Sequence, residues 1–176
     1  MTACARDYWP TARFWNTPRN SETPMRILCI AVLAAAAALA QQSFDLVVYG
    51  GTAAGVTTAV AAARHGLKTV LLEPRSHVGG MVSGGLSGTD VGRREVIGGL
   101  ALEFYYLAGR HYELARHLQE VAWMPEPKVA ETIFRRMLRE AGVTLIERHR
   151  LREKTGVRKE GARIVEITME NGSRFQ

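Results

Sequence analysis

One segment constrains the fold more than any other, because it predicts a complete strand–helix–strand unit. The short apolar run Phe44–Tyr49 predicts a buried strand that ends in two glycines. The alanine-rich pattern from Ala53 to His65 predicts a helix that ends at Gly66, and Lys68–Glu73 predicts the second strand. A connection of this kind joins parallel strands through a right-handed crossover. The sequence therefore predicts an α/β fold with a parallel sheet.

The turn between the first strand and the helix has the composition of a dinucleotide site. It consists of Gly50, Gly51, Thr52, Ala53, Ala54 and Gly55. In the pattern G-x-G-x-x-G, the first and last glycines match, and Thr52 replaces the middle one. Gly50 permits a tight turn, Gly55 lets the helix approach the sheet, and Thr52 is small enough for a pyrophosphate to come close. The helix N-terminus offers free N–H groups and a positive dipole end to phosphate.

The acidic residue that ends the second predicted strand strengthens this interpretation. Glu73 follows the glycine turn by about 20 residues, where a carboxylate accepts hydrogen bonds from the ribose hydroxyls of an adenosine. It would repel a 2′-phosphate, so the sequence disfavours NADP. Taken alone, Glu73 is also compatible with a surface carboxylate, but its place after the glycine turn favours the ribose role.

A glycine-rich segment follows at residues 76–99. It contains the pairs Gly79–Gly80, Gly84–Gly85 and Gly98–Gly99. Long loops inside compact domains are usually functional or disordered. The apolar residues between the glycines, among them Met81 and Leu86, indicate a loop that packs against another part of the molecule.

The second half of the chain changes from helices to strands. Apolar spacing predicts helices at residues 100–107, 112–121 and about 127–141, and strands at 143–147, 151–157 and 164–169. Asn171-Gly172 predicts a hairpin turn into one more strand that begins at Arg174. Because Gln176 would cut that strand short, we expect the sequence to be incomplete.

The first 40 residues are expected to lie outside the fold. Residues 25–40 have the layout of a secretory signal peptide, with a charged start at Arg26, the apolar run Ile27–Leu39 and cleavage before Gln41. Residues 1–24 fit poorly before a signal and are interpreted as an extension from a start codon assigned too early. The apolar run is too short to span a membrane, so we expect a periplasmic or secreted product without a stable span after cleavage.

The cysteines and the charge distribution exclude several classes of function. Both cysteines, Cys4 and Cys29, lie in the removable region, so the mature chain is expected to lack disulfides, thiolate metal sites and cysteine nucleophiles. The histidines are scattered without metal spacing, and no metal site is predicted. The net charge is +6, but basic and acidic residues are interleaved, which argues against nucleic-acid binding.

Two motifs are similar to those of a known family. Tyr49–Gly55 reads Y-G-G-T-x-A-G, and Leu72–Leu86 reads L-E-P-x-x-x-x-G-G-M-x-S-G-G-L. With Ile97–Leu100 and Glu126–Glu131, they resemble exported bacterial FAD-dependent oxidoreductases with a Rossmann-like, glutathione-reductase-like FAD-binding fold. The resemblance covers essentially the whole mature chain. It implies that residues 41–176 form a FAD-binding domain that lacks its C-terminal remainder and its substrate domain.

The same resemblance implies FAD as the cofactor and places further residues near it. These are Pro74, Gly79, Gly80, Met81, Ser83, Gly84, Gly85, Leu86 and Leu151. By position, Gly80 and Met81 would lie at the diphosphate and ribityl chain, and Ser83 to Leu86 nearer the isoalloxazine. The backbone near Leu151 would contact the adenine. The family's three-stranded antiparallel meander matches the last predicted strands, and the implied activity is oxidation of an unidentified small-molecule substrate.

Several alternatives remain open at the level of sequence. His77 is interpreted as a loop-packing residue rather than as a covalent flavin attachment, since it lies too close to Gly79 for the usual motif. Arg75 is compatible with a contact to adenosine or with a solvated side chain. No catalytic residue is assigned. The competing functions are an NAD-dependent dehydrogenase and a truncated, non-catalytic remnant.

Overall fold

A computed structural model describes residues 43–86, 90–113 and 120–176. The segment interpreted as extension and signal peptide, residues 1–40, lies outside the described residues. Two three-stranded sheets make up the strand structure of the described part. The first is parallel, in the order β1-β2-β3, and consists of β1 (Leu46–Tyr49), β2 (Thr69–Glu73) and β3 (Thr144–Glu147). The second is antiparallel, in the order β4-β5-β6, and consists of β4 (Val157–Glu160), β5 (Arg163–Thr168) and β6 (Arg174–Phe175).

Three α-helices and two short turns of 3₁₀-helix connect these strands. They are α1 (Ala53–Arg64), α2 (Gly99–His111), α3 (Pro127–Glu140) and the 3₁₀ turns Gly80–Val82 and Arg94–Val96. The predicted α/β class, the parallel strands and the antiparallel meander are confirmed. No helix in the described part of the chain is long and apolar enough to cross a membrane.

Strand β2 is buried on both faces because it lies between two hydrophobic clusters. Successive side chains of a strand point to opposite faces. Leu71 therefore packs with the helices, and Val70 and Leu72 pack with Met169 and Phe175 of the meander. This double burial explains why β2 is a continuous apolar run rather than an alternating one.

Helix α3 closes the helical side of the sheet with one apolar face. Val129, Ile133, Phe134, Met137 and Leu138 are all buried there, at the spacing of a single helix face. The ring of Phe134 stacks on Phe104 of α2, with 4.4 Å between the ring centroids. The N-terminal Pro127 suits the first turn, where a backbone N–H has no partner inside the helix.

Two predicted elements differ from the structure. The predicted helix at residues 112–121 is absent where it can be checked, since α2 ends at His111 and residues 112–113 and 120–121 are not helical; residues 114–119 lie outside the described part. The predicted strand at 151–157 is reduced to an isolated bridge between Leu151 and Met169, followed by a turn. Gly156 marks this fold-back, because a Cβ atom there would lie 2.2 Å from the carbonyl oxygen of Arg152.

Candidate functional site

The glycine turn after β1 has the geometry that a close approach of α1 to the sheet requires. Gly50 has φ +103°, a left-handed conformation that favours glycine. Thr52 caps α1, and its hydroxyl oxygen accepts a hydrogen bond from the N–H of Gly55 at 3.1 Å. A Cβ atom on Gly55 would lie 2.1 Å from the carbonyl oxygen of Gly50, so no larger residue fits without moving the helix.

The buried carboxylate of Glu73 holds this turn in place. Its Oε2 accepts a hydrogen bond from the N–H of Gly51 at 2.6 Å, and its Oε1 accepts one from the N–H of Arg75 at 2.9 Å. The residue is 9% exposed. A Cβ atom on Gly51 would come within 2.9 Å of the same Oε2. The carboxylate therefore joins the end of β2 to the turn that follows β1.

The loop after β2 extends the turn into a groove. The N–H of Gly79 donates to the carbonyl oxygen of Gly51 at 2.6 Å, and Thr52 and Gly79 form a parallel bridge. Gly79 has φ +111°, and a Cβ atom on it would collide with the Ser83 hydroxyl and the Phe134 ring. A Cβ atom on Gly80 would lie 3.2 Å from the Cα of Thr52. The paired glycines thus let the two loop backbones lie side by side.

A cavity of about 480 Å³ lies where these two loops meet. It is lined by Gly51, Thr52, Glu73, Arg75, His77, Gly80 and Gly84. The cavity sits at the carboxyl ends of β1 and β2 and at the N-terminus of α1. Open α/β sheets bind ligands at that edge, and a helix N-terminus attracts anions through its free N–H groups.

Behind the cavity, a chain of polar contacts ties the loop to α3. The Nδ1 of His77 lies 3.1 Å from Oε2 of Glu131, and its Nε2 lies 3.0 Å from the hydroxyl oxygen of Ser83. That hydroxyl donates to the carbonyl oxygen of Val78 at 2.6 Å. Arg135 donates to Oε1 of Glu131 at 2.8 Å. These contacts fix the 77–83 loop to the face of α3.

The side chains of Glu131 and Arg135 are ionised in this network. Burial raises the pKa of Glu131, but the hydrogen bonds from Arg135 and from the Val78 N–H, with the nearby His77, bring it below its ordinary value. The hydrogen bond to Glu147, at 2.6 Å, raises the pKa of Arg135 above its ordinary value. Glu131 is therefore an anion at neutral pH.

The structure brings together only part of the residues that the sequence indicates for the site. Gly51, Thr52, Glu73, Gly80 and Gly84 line the cavity. Gly50, Pro74 and Gly79 belong to the adjoining turns, and Ala53, Ala54 and Gly55 form the first turn of α1; none of these six residues lines the cavity. Met81 and Leu86 are exposed by 78% and 64%, and neither they nor Gly85 lines the cavity.

Two indicated residues have backbone or side-chain partners that the sequence did not predict. Ser83 is buried, and its hydroxyl is engaged with Val78 and His77 inside the loop. The N–H of Leu151 donates to the hydroxyl of Tyr49 at 3.0 Å, and Leu151 does not line the cavity. The Leu151 contact joins segments that are 102 residues apart in the chain, whereas the Ser83 contacts lie within one loop.

The residues that sequence reasoning missed are those whose role depends on such contacts. His77 lines the cavity although the sequence indicates only loop packing for it, and Arg75 lines the cavity too, where a contact with adenosine is one of its two alternatives. Glu131 approaches from α3, more than 50 residues away in the chain, where its spacing reads as an ordinary exposed helix position. In the described part of the chain, no group of three His, Cys, Asp or Glu side chains is placed to hold a metal ion.

Residues 45–176 match the family described as "FAD dependent oxidoreductase". The chain belongs to this family. The match begins just before β1 and includes the glycine turn, the cavity and the meander. It confirms that the motifs are those of FAD-dependent oxidoreductases, and the family implies FAD.

Solved structures show the same fold. The myxobacterial chondrochloren halogenase, a variant of FAD-dependent halogenases, superposes with a TM-score of 0.53 at 20% identity, over 76% of this chain and 35% of its own. The bacillithiol disulfide reductase of Staphylococcus aureus gives a TM-score of 0.50 at 14% identity, over 77% of this chain and 36% of its own. These likenesses concern the fold alone.

The chain spans only part of each of these proteins. It covers 36% of a flavin monooxygenase variant from Stenotrophomonas maltophilia, which it matches at 15% identity and a TM-score of 0.49. It covers 57% of the THI4 protein of Thermovibrio ammonificans, at 15% identity and a TM-score of 0.43. The solved structures are therefore substantially longer than the part that this chain matches.

Proposed function

We propose that the cavity between the glycine turn and the 77–84 loop binds the ADP half of FAD. The observation that carries this proposal is the clamp between Glu73 and Gly51 at the N-terminus of α1. It sets a carboxylate beside a turn of glycine backbone and free helix N–H groups. The carboxylate can accept hydrogen bonds from ribose hydroxyls, and the glycine backbone and helix N–H groups can donate hydrogen bonds to a diphosphate.

The residues of the cavity fit such a ligand. Glycine at positions 51 and 80 leaves the loop backbones open to close approach, and added Cβ atoms would crowd Glu73 and Thr52. Each oxygen of the Glu73 carboxylate accepts one backbone N–H, and an ionised carboxylate has about four acceptor sites in all. Glu73 therefore retains capacity to accept hydrogen bonds from two ribose hydroxyls.

The proposal extends to the role of the whole protein. When bound, the flavin accepts a hydride or electrons from a substrate, while the protein binds and orients it. This chain's residues bind the cofactor and hold the two loops. We propose a small-molecule substrate, no nucleic-acid partner and export to the periplasm or the exterior, on the strength of the signal-like segment at residues 25–40 and the interleaved surface charges.

Ligand titration of the full chain tests the proposal. We expect FAD and ADP to compete for one site, FMN not to compete because it lacks the adenosine half, and NAD to bind more weakly than FAD. Binding of NAD without FAD would favour the dehydrogenase alternative. Binding of neither nucleotide would favour the non-catalytic remnant.

A matched pair of variants makes this test specific to the turn. Thr52→Asp keeps a side-chain acceptor at the N-cap of α1, which aspartate serves as well as threonine. It adds a negative charge where the diphosphate would lie. We expect FAD affinity to fall by about tenfold or more, with no loss of stability. Thr58→Asp places the same charge on an exposed position of α1 and should leave affinity unchanged.

A further inference from the structure

One guanidinium outside the cavity joins three elements that meet beside the 77–84 loop. The Nη2 of Arg135, on α3, lies 2.8 Å from Oε1 of Glu131, one helical turn earlier. The same nitrogen lies 2.6 Å from Oε1 of Glu147 at the end of β3 and 3.1 Å from the carbonyl oxygen of Ser76, which directly precedes the loop. Arginine stays protonated in proteins and only donates, whereas carboxylate and carbonyl oxygens accept, so the direction of these hydrogen bonds is fixed.

The carboxylate of Glu131 adds a second connection between α3 and the loop. Its Oε1 accepts a hydrogen bond from Nε of Arg135 at 3.0 Å and another from the backbone N–H of Val78 at 3.4 Å. The guanidinium therefore holds the carboxylate in the place from which it reaches Val78. The Arg135 and Glu131 side chains are 33% and 24% exposed, and partly buried ion pairs are screened less than exposed ones.

The loop that these contacts hold forms one wall of the cavity. Gly80 and Gly84 line the cavity, and Arg135 does not. Between the held residues and Gly80, the N–H of Gly79 donates to the carbonyl oxygen of Gly51 at 2.6 Å, which keeps the loop beside the glycine turn. A change at Arg135 therefore acts on the cavity through the loop and not by contact with a ligand.

We propose that Arg135 is a positioning residue that holds the 77–84 loop in its binding arrangement, and that it thereby sets the affinity of the cavity for a diphosphate. The second half of this proposal rests on the proposed function. When the guanidinium is removed, the carbonyl oxygen of Ser76 loses its donor. The oxygens of Glu131 and Glu147 that both lie within 2.8 Å of Nη2 also lose the cation between them, and their negative charges repel each other.

Two neighbouring arginines of α3 provide matched variants. Arg136 pairs with Glu140 at 2.7 Å, in the same i,i+4 arrangement as Arg135 with Glu131. Arg135→Gln and Arg136→Gln each remove one charge and one helix ion pair, but only the first removes the hydrogen bond to Ser76. Arg135→Lys is the second test variant if glutamine prevents folding. It keeps the positive charge, but its nitrogen ends one bond short of Nη2 and lacks the planar fork of arginine.

Hydrogen–deuterium exchange of the ligand-free full chain tests the loop directly, with β2 as the internal reference for global stability. We expect exchange of residues 77–84 to become about five- to tenfold faster in Arg135→Gln and Arg135→Lys, the effect of losing one charge-assisted hydrogen bond at a partly exposed site. Exchange of β2 should change much less, and Arg136→Gln should match the unsubstituted chain. Loop exchange that is unchanged, or that rises only in step with β2, would overturn the positioning role whether or not the chain binds FAD.

ADP and adenosine separate positioning from a general loss of stability. ADP carries the diphosphate that the loop wall would contact, whereas adenosine would occupy only the Glu73 side of the cavity. We expect Arg135→Gln to weaken ADP binding about five- to tenfold and to leave adenosine binding unchanged, with Arg136→Gln unchanged for both ligands. Equal losses for ADP and adenosine, or no loss for ADP, would refute the effect of Arg135 on the diphosphate.

The two measurements separate this inference from the proposed function. If the unsubstituted chain bound no ADP, the proposed function and the effect on diphosphate affinity would both be overturned. The exchange result on the ligand-free chain would still decide whether Arg135 holds the loop. If ADP bound equally well to the unsubstituted chain and to Arg135→Gln, the proposed function would stand, and the effect of Arg135 on affinity would not.

Discussion

Replacement of Glu73 by glutamine is the sharpest test of how the fold supports the site. The carboxylate accepts two backbone N–H groups, from Gly51 at 2.6 Å and from Arg75 at 2.9 Å, in a buried position. Glutamine has nearly the same shape but only one oxygen. Whichever N–H meets the amide nitrogen then faces a donor instead of an acceptor.

The structure sets the size of the expected effect. Glu73→Gln loses the charge on one hydrogen bond and leaves a second backbone N–H without an acceptor, and each loss costs about 1 to 1.5 kcal/mol. We expect a loss of about 2 to 3 kcal/mol in the free energy of unfolding. For a domain of this size, that lowers Tm by roughly 6 to 12 °C.

The assay is urea unfolding of the ligand-free chain, followed by circular dichroism and tryptophan fluorescence. Glu153→Gln is the matched control, because it makes the same change at an exposed position in the turn before β4. We expect the control to stay within about 0.5 kcal/mol of the unsubstituted chain. Equal unfolding midpoints for Glu73→Gln and the control would refute the clamp.

Three further changes test other parts of the fold. Gly55→Ala should lower the free energy of unfolding by about 1 to 3 kcal/mol and weaken FAD binding, because the added Cβ atom would lie 2.1 Å from the Gly50 carbonyl oxygen. If neither the unfolding free energy nor the FAD affinity changed, the close approach of α1 to the Gly50 turn would be contradicted. Phe134→Ala should cost about 3 to 5 kcal/mol by urea unfolding, since it removes a buried ring stacked on another, and a cost below about 1 kcal/mol would contradict that packing. The hydrogen bond from Arg64 lowers the pKa of Glu103, so the pair's stabilisation is present above about pH 4.3 and is lost as the pH falls through the lowered value. Glu103→Gln should therefore cost up to about 1 kcal/mol at pH 7 and nothing in strong acid, and a cost that persists in acid would point to packing instead of charge.

The parts of the fold that could be predicted from the sequence are those determined by residues that lie close together in the chain. The strand, the glycine turn and the start of α1 at Ala53 all follow from local pattern, and the structure has them within two residues. Glycine at position 55 was correctly related to close packing of helix and sheet, since a Cβ atom there would strike the Gly50 carbonyl oxygen. The hairpin turn at Asn171-Gly172 could likewise be predicted from local sequence, and Gly172 has the left-handed φ of +87°.

The parts that could not be predicted depend on contacts between distant segments. Leu151–Val157 has the composition of a strand, but the chain folds back on itself before Gly156 and leaves only one bridge. His77 reads as an ordinary loop residue until Glu131 of α3 and Ser83 are seen on either side of its ring. Spacing along the chain carries no information about which tertiary partner will face a given side chain.

Glu73 was assigned from the sequence to the ribose, and the structure gives it a second role as the clamp of the glycine turn. The two roles can be separated by measuring stability with and without FAD. A ligand that binds only the native state stabilises it by about 2.7 kcal/mol at 100 times its Kd. If Glu73 also binds the ribose, Glu73→Gln raises Kd, and the stability gap to the unsubstituted chain widens as FAD is added. If the carboxylate only clamps Gly51, the gap stays at its ligand-free value at every FAD concentration. A constant gap would therefore remove Glu73 from the proposed cofactor contacts while leaving its structural role intact.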